Sequence, residues 1–341
     1  MTKKYFGSFE NNDVNLFTLQ NYYIKAELLD YGATLRSLII NGRDIICGFD
    51  DINAYLSDNS YQGAIIGRYA NRIENGGFTL NGCEYILFKN EKGVTHLHGG
   101  KHGFDKRIWN AAVKSCGNSQ SIEFSLFSPD GEEGYPGNLE VTVTYTLTEK
   151  NLLINYKAKC DKDTPLNLTN HSYFNLNGYN SGDIYSHVLK INSDMYSEVD
   201  KLLIPIKKAS VLNTPFDFKT PKKIGQDINN KHPQLDICEG YDHNFYLKKD
   251  IIKDFGDKNL HEAAVLSVDD LSMNMYTDMP CIQLYTGNFL TGSQSFKKGV
   301  KQEKHHALCL ETQYAPNSPH CGEAILKAGE IYNKTTAFIF E

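Results

Sequence analysis

Short runs in which apolar and polar residues alternate recur along the chain: Ser121 to Ser128, Val141 to Thr148, Leu152 to Lys159 and Cys281 to Tyr285. A period of two marks a half-buried strand, because successive side chains leave a strand on opposite faces. Between the runs stand turn signals, among them Asn41-Gly42, Asn75-Gly76-Gly77, Asn81-Gly82, Pro129-Asp130-Gly131 and Tyr135-Pro136-Gly137. These residues supply the left-handed or proline-fixed backbone of tight connections, so the strands are expected to pair antiparallel. Helical periodicity is scarce. The spacing predicts short helices only near Ile52 to Leu56 and from Lys222 to Ile228, where Pro221 would sit in a first turn. Lys248 to Glu262 is rich in charge and reads as an exposed excursion.

No repeat of solenoid length and no Pro- or Ser-rich linker divides the 341 residues. All-β domains often outgrow the usual domain size, so residues 1–341 are read as one all-β domain with few short helices. The net charge of -6 is mild, and Lys and Arg form no basic block, which argues against a nucleic-acid partner and an anionic membrane surface. The opening residues Met1 to Gly7 contain no apolar stretch, and no run is long and apolar enough for a membrane helix. A soluble, cytoplasmic protein is expected. Eight cysteines (Cys47, Cys83, Cys116, Cys160, Cys238, Cys281, Cys309 and Cys321) are scattered without a C-x-x-C pair, as suits reduced and mostly buried thiols.

Candidate chemistry begins in the segment from Asn167 to Leu176. A strand there would place His171, Tyr173 and Asn175 on one face, and Asn170, Ser172 and Phe174 on the other. Burying so many polar groups unpaired would cost roughly 1–3 kcal/mol each, and a sugar would satisfy them. Alone, His171 reads equally well as an ordinary hydrogen-bonded histidine.

Other segments add donors and acceptors. Gly67 to Ile73 carries Asn71 and Arg72, whose fixed guanidinium fork suits hydroxyls or a carboxylate as well as a surface ion pair. His96 and His98 lie at i and i+2 and can face the same way from a strand, which raises a metal site; no third ligand stands nearby in sequence. A single imidazole, His98, beside Gly99 and Gly100 is the preferred reading. Asp242 in Gly240 to Phe245 is either an acceptor for sugar hydroxyls or a turn former, and Gln283, sharing a strand face with Tyr285, can read a hydroxyl pair. Glu311 ends the apolar run Leu308-Cys309-Leu310. Partial desolvation would raise its pKa and make it a general base, with His171 as the acid; as a lone glutamate it reads as a surface carboxylate.

Taken together and in order, these segments resemble the aldose 1-epimerase (galactose mutarotase) family over almost the whole chain. The motifs that carry the resemblance are Gly67-Arg68 with Asn71-Arg72-Ile73, Leu97-His98-Gly99-Gly100, Gly103-Phe104-Asp105-Lys106, Gly134-Tyr135-Pro136-Gly137, Asn170 to Leu176, Thr214 to Phe218, Gly240 to Phe245, Tyr285 to Leu290, and Leu310-Glu311-Thr312-Gln313. The resemblance implies a large antiparallel β-sandwich of the galactose mutarotase-like supersandwich type. It further implies a free monosaccharide held in an open cleft, and no metal or organic cofactor. In it Glu311 matches the base and His171 the acid, while Arg72, His98, Asp242 and Gln283 match sugar-lining positions, with Asn71 beside Arg72. Such a chain would be a monomer or homodimer. Two departures stand near the expected cleft: Asn213 where the family usually has glycine, and the loop from Tyr314 to His320.

The expected reaction opens the hexose ring and recloses it on the other anomeric face. A bell-shaped pH profile would follow, with its acidic limb from the carboxylate and its basic limb from the imidazole. The rivals are an epimerase of a hexose phosphate or a disaccharide, and a non-catalytic carbohydrate-binding protein. Only five arginines are present (Arg36, Arg43, Arg68, Arg72 and Arg107), which argues against a phosphate site.

Overall fold

The computed structural model of the chain describes residues 2–116, 119–292 and 294–341. The four alternating runs are strands: Ser119–Ser128, Leu139–Leu147, Asn151–Cys160 and Cys281–Tyr285. The first three pair antiparallel in sequence order, and Ile331–Phe340 then pairs with Asn151–Cys160 to carry a ten-stranded sheet onward. A five-stranded sheet is formed by the N-terminal residues up to Asp44. Another runs in the order Pro205–Ser210, Ser193–Val199, Asp242–Leu247, Cys281–Tyr285, Cys309–Gln313. One apolar cluster draws Leu19 and Leu38 from the first sheet, Phe124 and Val143 from the large one, and Phe245, Leu284 and Leu310 from the third. The architecture is therefore an all-β sandwich in which the sheets bury their apolar faces against each other.

The helix near residue 52 is present as Ile52–Ser57, begun by Asp51, whose Oδ1 accepts the Ala54 amide at 3.1 Å. The predicted helix over 222–228 is absent. Lys222 and Lys223 instead pair with Val188 and Leu189 at the sheet edge, and only a 3-10 turn, Ile224–Gln226, follows. One isolated turn has too few hydrogen bonds to outweigh such pairing. A short helix that periodicity did not reveal, Pro233–Cys238, starts on a proline. The charged stretch is only half an excursion. Ile252–Asp254 is exposed, but Asn259–Val268 is a strand of the large sheet with Leu260 and Ala264 buried. Cys47, Cys160, Cys238, Cys281 and Cys309 are buried free thiols; Cys83 and Cys321 are exposed and free. The side chain of Cys116 lies outside the described residues. Among those described, no helix is long and apolar enough to cross a membrane.

Arg68 ties the 128–137 segment to its own loop. Its buried guanidinium donates to the carbonyls of Pro136 (2.8 Å), Gly137 (3.0 Å) and Ser128 (3.1 Å), and to Ser128 Oγ (2.6 Å). Arg68→Met would strand these acceptors and is expected to destabilise the protein by about 2–4 kcal/mol. Urea unfolding should show it as a lower midpoint at unchanged slope; a midpoint equal to wild type would contradict it.

Candidate active site

The cleft floor follows from strand period and register. Asp242, Tyr285 and Cys309 are direct cross-strand partners, and one step along the sheet Asn244, Gln283 and Glu311 form the next row. Partners directly opposite in an antiparallel sheet share a face. Both polar rows therefore point to the same side, while Phe245, Ile282, Leu284 and Leu310 turn into the core. From this face Asp242, Tyr285 and Glu311 line a cavity of about 460 Å³ together with Asn71, Arg72, His98 and His171, whereas Gln283, Asn244 and Cys309 do not line it; the size suits a small-molecule ligand.

Loops supply the other wall. Tyr61, Asn71, His98 and Leu203 all line the cavity, and their φ angles are 59°, 69°, 52° and 60°. Side chains with a Cβ seldom adopt this left-handed backbone, and the packing around the cleft holds them there. The Tyr61 ring lies 4.6 Å from that of His98 and 5.8 Å from that of His171, and the two imidazoles meet edge to face at 5.3 Å.

Each predicted site residue has a definite set of partners. Glu311 is 2% exposed; its Oε1 lies 3.7 Å from His171 Nε2, and its Oε2 has no hydrogen-bond partner. That spacing is too long for a hydrogen bond and leaves a gap that a substrate hydroxyl can bridge. Gln283 Nε2 donates to Asp242 Oδ1 at 2.6 Å, leaving Gln283 Oε1 unpartnered. Arg72 forks onto Glu91 with two bonds of 2.8 Å and approaches Asp242 Oδ2 at 3.9 Å. Asn71 Oδ1 accepts the Arg72 amide at 2.8 Å, and the Asn71 amide donates to His98 Nδ1 at 3.2 Å.

Burial sets the proton affinities. It raises the Glu311 carboxyl well above the usual range, with Asp242 adding to the rise and Arg72 opposing it. It lowers His171 to about 4, and it lowers His98 well below its ordinary value, helped by the neighbouring His171 and Arg72. Asp242 is raised by burial, against the pull of Arg72. Burial also works against charge on Arg72, but Asp242 and Glu91 more than offset it and its pKa is raised. The cleft thus holds a fixed ion-pair cluster beside a carboxyl and an imidazole that both resist ionising.

Several expectations change. His96 takes no part: its Nδ1 meets the Phe88 carbonyl at 2.7 Å and its Nε2 meets Tyr135 Oη at 2.7 Å. The segment after Asn170 is not a regular strand, and its amides are spent on the fold. Asn170 Nδ2 donates to the Gly63 carbonyl, and Asn175 Nδ2 to the carbonyls of Gly182 and His306, so only His171 and Tyr173 of this segment line the cleft. Asn213 and the 314–320 loop are not among the cleft residues. Asn213 has φ 59°, a conformation that asparagine tolerates nearly as glycine does.

His98, His171 and Glu311 bring ligand atoms within 4.8 Å of one another, the composition of a metal site. The Asn71 amide occupies the lone pair of His98 Nδ1 and leaves the imidazole proton on Nε2, so His98 is set up as a hydrogen-bond donor. A larger cleft of about 740 Å³ lies elsewhere and is lined by charges already paired with each other. There Lys297 binds Asp44 at 2.5 Å and Arg36 binds Glu27 at 2.6 Å. It offers no group in need of a ligand comparable to Glu311 Oε2 or Gln283 Oε1. Glu91, Tyr61, Tyr285 and Cys309 belong to the site or its support and were not singled out in the sequence. Glu91 and Tyr61 join the site only through contacts between loops, whereas Tyr285 and Cys309 stand two residues from Gln283 and Glu311, where the strand period of two could have found them.

The all-β sandwich thus carries a polar cleft in which a buried carboxyl stands 3.7 Å from an imidazole. Residues 15–338 match the aldose 1-epimerase family. The chain is 43% identical over 351 aligned residues to a galactose mutarotase of Sus scrofa, covering 100% of this chain and 98% of that protein. It is 40% identical to an aldose 1-epimerase of Haemophilus influenzae, covering 96% and 95%. The crystal structure of a galactose 1-epimerase from Lactobacillus acidophilus superposes with a TM-score of 0.89 at 28% identity, covering 100% of this chain and 98% of that one. The chain belongs to the aldose 1-epimerase family and is an enzyme of that kind.

Proposed function

We propose that the protein interconverts the α and β anomers of a free aldohexose, galactose or glucose, with Glu311 as base and His171 as acid. The observation that carries this is the Glu311–His171 pair, 3.7 Å apart with one carboxylate oxygen unpartnered, at the floor of a cavity rich in hydroxyl-binding groups. The names of the relatives favour galactose. Arg72 is already neutralised by Glu91 and Asp242, which favours an uncharged sugar over a hexose phosphate. A binding protein would have no use for a desolvated carboxylate poised beside an imidazole. The core cluster, which runs from Phe17 to Phe340, supports reading residues 1–341 as one domain.

In the first half-reaction, ionised Glu311 takes the proton of the C1 hydroxyl while protonated His171 gives one to the ring oxygen. The bond from C1 to the ring oxygen breaks, its electron pair going to that oxygen as the C1 carbonyl forms. Rotation about C1–C2 presents the other carbonyl face. On reclosure the ring-oxygen hydroxyl attacks C1, His171 recovers its proton and Glu311 returns its own to the new anomeric hydroxyl. Arg72, Asp242 and His98 hold the remaining hydroxyls, while Gln283 holds Asp242 and Asn71 holds His98. No charged alkoxide accumulates, which is where positioned acid and base groups have their effect.

Polarimetry of freshly dissolved α-D-galactose and α-D-glucose tests the reading: accelerated relaxation to an unchanged final rotation is expected. Unaccelerated relaxation of both sugars would rule it out. The pH dependence should be bell-shaped, but with the limbs exchanged from the sequence expectation. Because burial raises Glu311 and lowers His171 to about 4, the two groups share one proton between about pH 4 and the raised Glu311 value. Activity falls as the pH drops through about 4, where the pair gains a second proton, and falls again above the raised Glu311 value, where it loses its last. A kcat/KM profile that shows no fall as the pH drops through about 4 would contradict this.

A further inference from the structure

His171 touches one polar group that takes no part in lining the sugar cleft. Cys309 is fully buried, and its Sγ lies 3.5 Å from His171 Nδ1, the ring nitrogen remote from Glu311. The strand dictates this placement. Cys309 precedes Glu311 by two residues, so both side chains leave the same sheet face, and one imidazole spans the step between them. The Tyr173 ring lies 5.2 Å from that of His171. The row is continuous: Cys309, His171, Glu311.

We propose that Cys309 is a positioning residue for His171, its thiol holding Nδ1 away from the cleft and Nε2 toward Glu311 in both protonation states of the ring. The inference rests on the reading of His171 as the acid. A thiol both donates and accepts weakly. Against the neutral ring, the S–H donates to Nδ1 and leaves the imidazole proton on Nε2, where the ring oxygen of the sugar must find it. Against the imidazolium, Nδ1–H donates to Sγ and the thiol proton turns away from the ring. A carboxylate at this place would favour the charged ring, and a carbonyl would force the proton onto Nδ1. Either would lock an imidazole that has to gain and lose a proton in every turnover. The other groups facing His171 are the rings of His98, Tyr61 and Tyr285, the last at 6.4 Å, and the charged lining of the cavity adds Arg72, Asp242, Glu91, Asp58 and Lys92. Glu311 faces Nε2 and Cys309 faces Nδ1.

The test compares Cys309→Ala with Cys309→Ser by polarimetry on α-D-galactose across pH, and reads the tautomer of His171 from imidazole nitrogen NMR. Cys309→Ala is expected to lower kcat about tenfold, the size of one lost hydrogen bond, to displace a limb of the pH profile and to leave KM nearly unchanged. Cys309→Ser, which keeps a donor and an acceptor, is expected to restore most of the rate. A wild-type rate and pH profile in Cys309→Ala would overturn the proposal, as would equal losses in both variants, which would reduce the thiol to packing. Should Cys309→Ala fail to fold, the wild-type spectrum decides. Neutral His171 protonated on Nε2 supports the proposal, and protonation on Nδ1 refutes it. An Nε2-protonated His171 in a protein that accelerates no mutarotation would sink the catalytic reading and leave the tautomer assignment standing.

Discussion

Glu311→Gln is expected to fold normally and to lose about 10²–10⁴-fold in kcat, the range a single positioned proton acceptor contributes. The substitution is nearly isosteric. The carboxylate stands at the end of the row formed with Asn244 and Gln283, and its Oε2 makes no hydrogen bond that the fold requires. An amide there meets no new clash and removes a buried acid that burial and Asp242 already disfavour as an anion. Stability should therefore stay level or rise while turnover collapses. The residual rate should depend on imidazole protonation alone, falling as the pH rises through about 4 with no loss on the acid side. Polarimetric kcat beside a thermal melt separates the two effects, and near-wild-type turnover in the folded variant would remove Glu311 from the chemistry.

How much of this site was legible in the sequence depends on what placed each residue. Gln283 and Glu311 could be found because a strand period of two is local: the alternation in Cys281–Tyr285 and the end of an apolar run at Glu311 already assign faces. His171 stood out through its polar surroundings, yet the reason given for them was largely mistaken. Asn170 and Asn175 satisfy backbone carbonyls of neighbouring loops, a demand that cannot be read without knowing which loops meet. Arg72 was foreseen as an oxygen clamp, but Glu91 already takes two of its nitrogens at 2.8 Å. The fork therefore serves first to fix the guanidinium and only then to meet a ligand. The helix expected over 222–228 failed for the same reason: a two-residue pairing at a sheet edge decided the backbone. Local pattern reveals which side chains share a face, whereas contacts between loops decide which of those faces become a site.

The resting protonation of the pair also fits the two-step chemistry. The free site favours a protonated carboxyl and a neutral imidazole, the arrangement the proposed reaction passes through after ring opening. The state that opens the ring differs from it only by moving one proton from Glu311 to His171. A site in which both arrangements carry the same net charge can run the reaction in either direction without exchanging a proton with solvent.

His171→Asn tests that balance from the other side. Asparagine can keep a polar atom near the place of Nδ1, and so a contact to Cys309 Sγ, while deleting Nε2, the nitrogen that faces Glu311. kcat is expected to fall about 10²–10⁴-fold with the sugar still bound, because Arg72, His98 and Asp242, the last held by Gln283, remain in place. With the shared proton gone, Glu311 titrates alone under burial and the charge of Asp242, so the residual rate should rise with pH through the raised carboxyl value and then level off. The bell should become a single ascending limb, opposite in sense to that of Glu311→Gln. Measured kcat/KM profiles of the two variants thus cross. If both instead retain the wild-type bell, with only its height reduced, the titrating pair is not Glu311 and His171, and the proton path must run through other groups of the cleft.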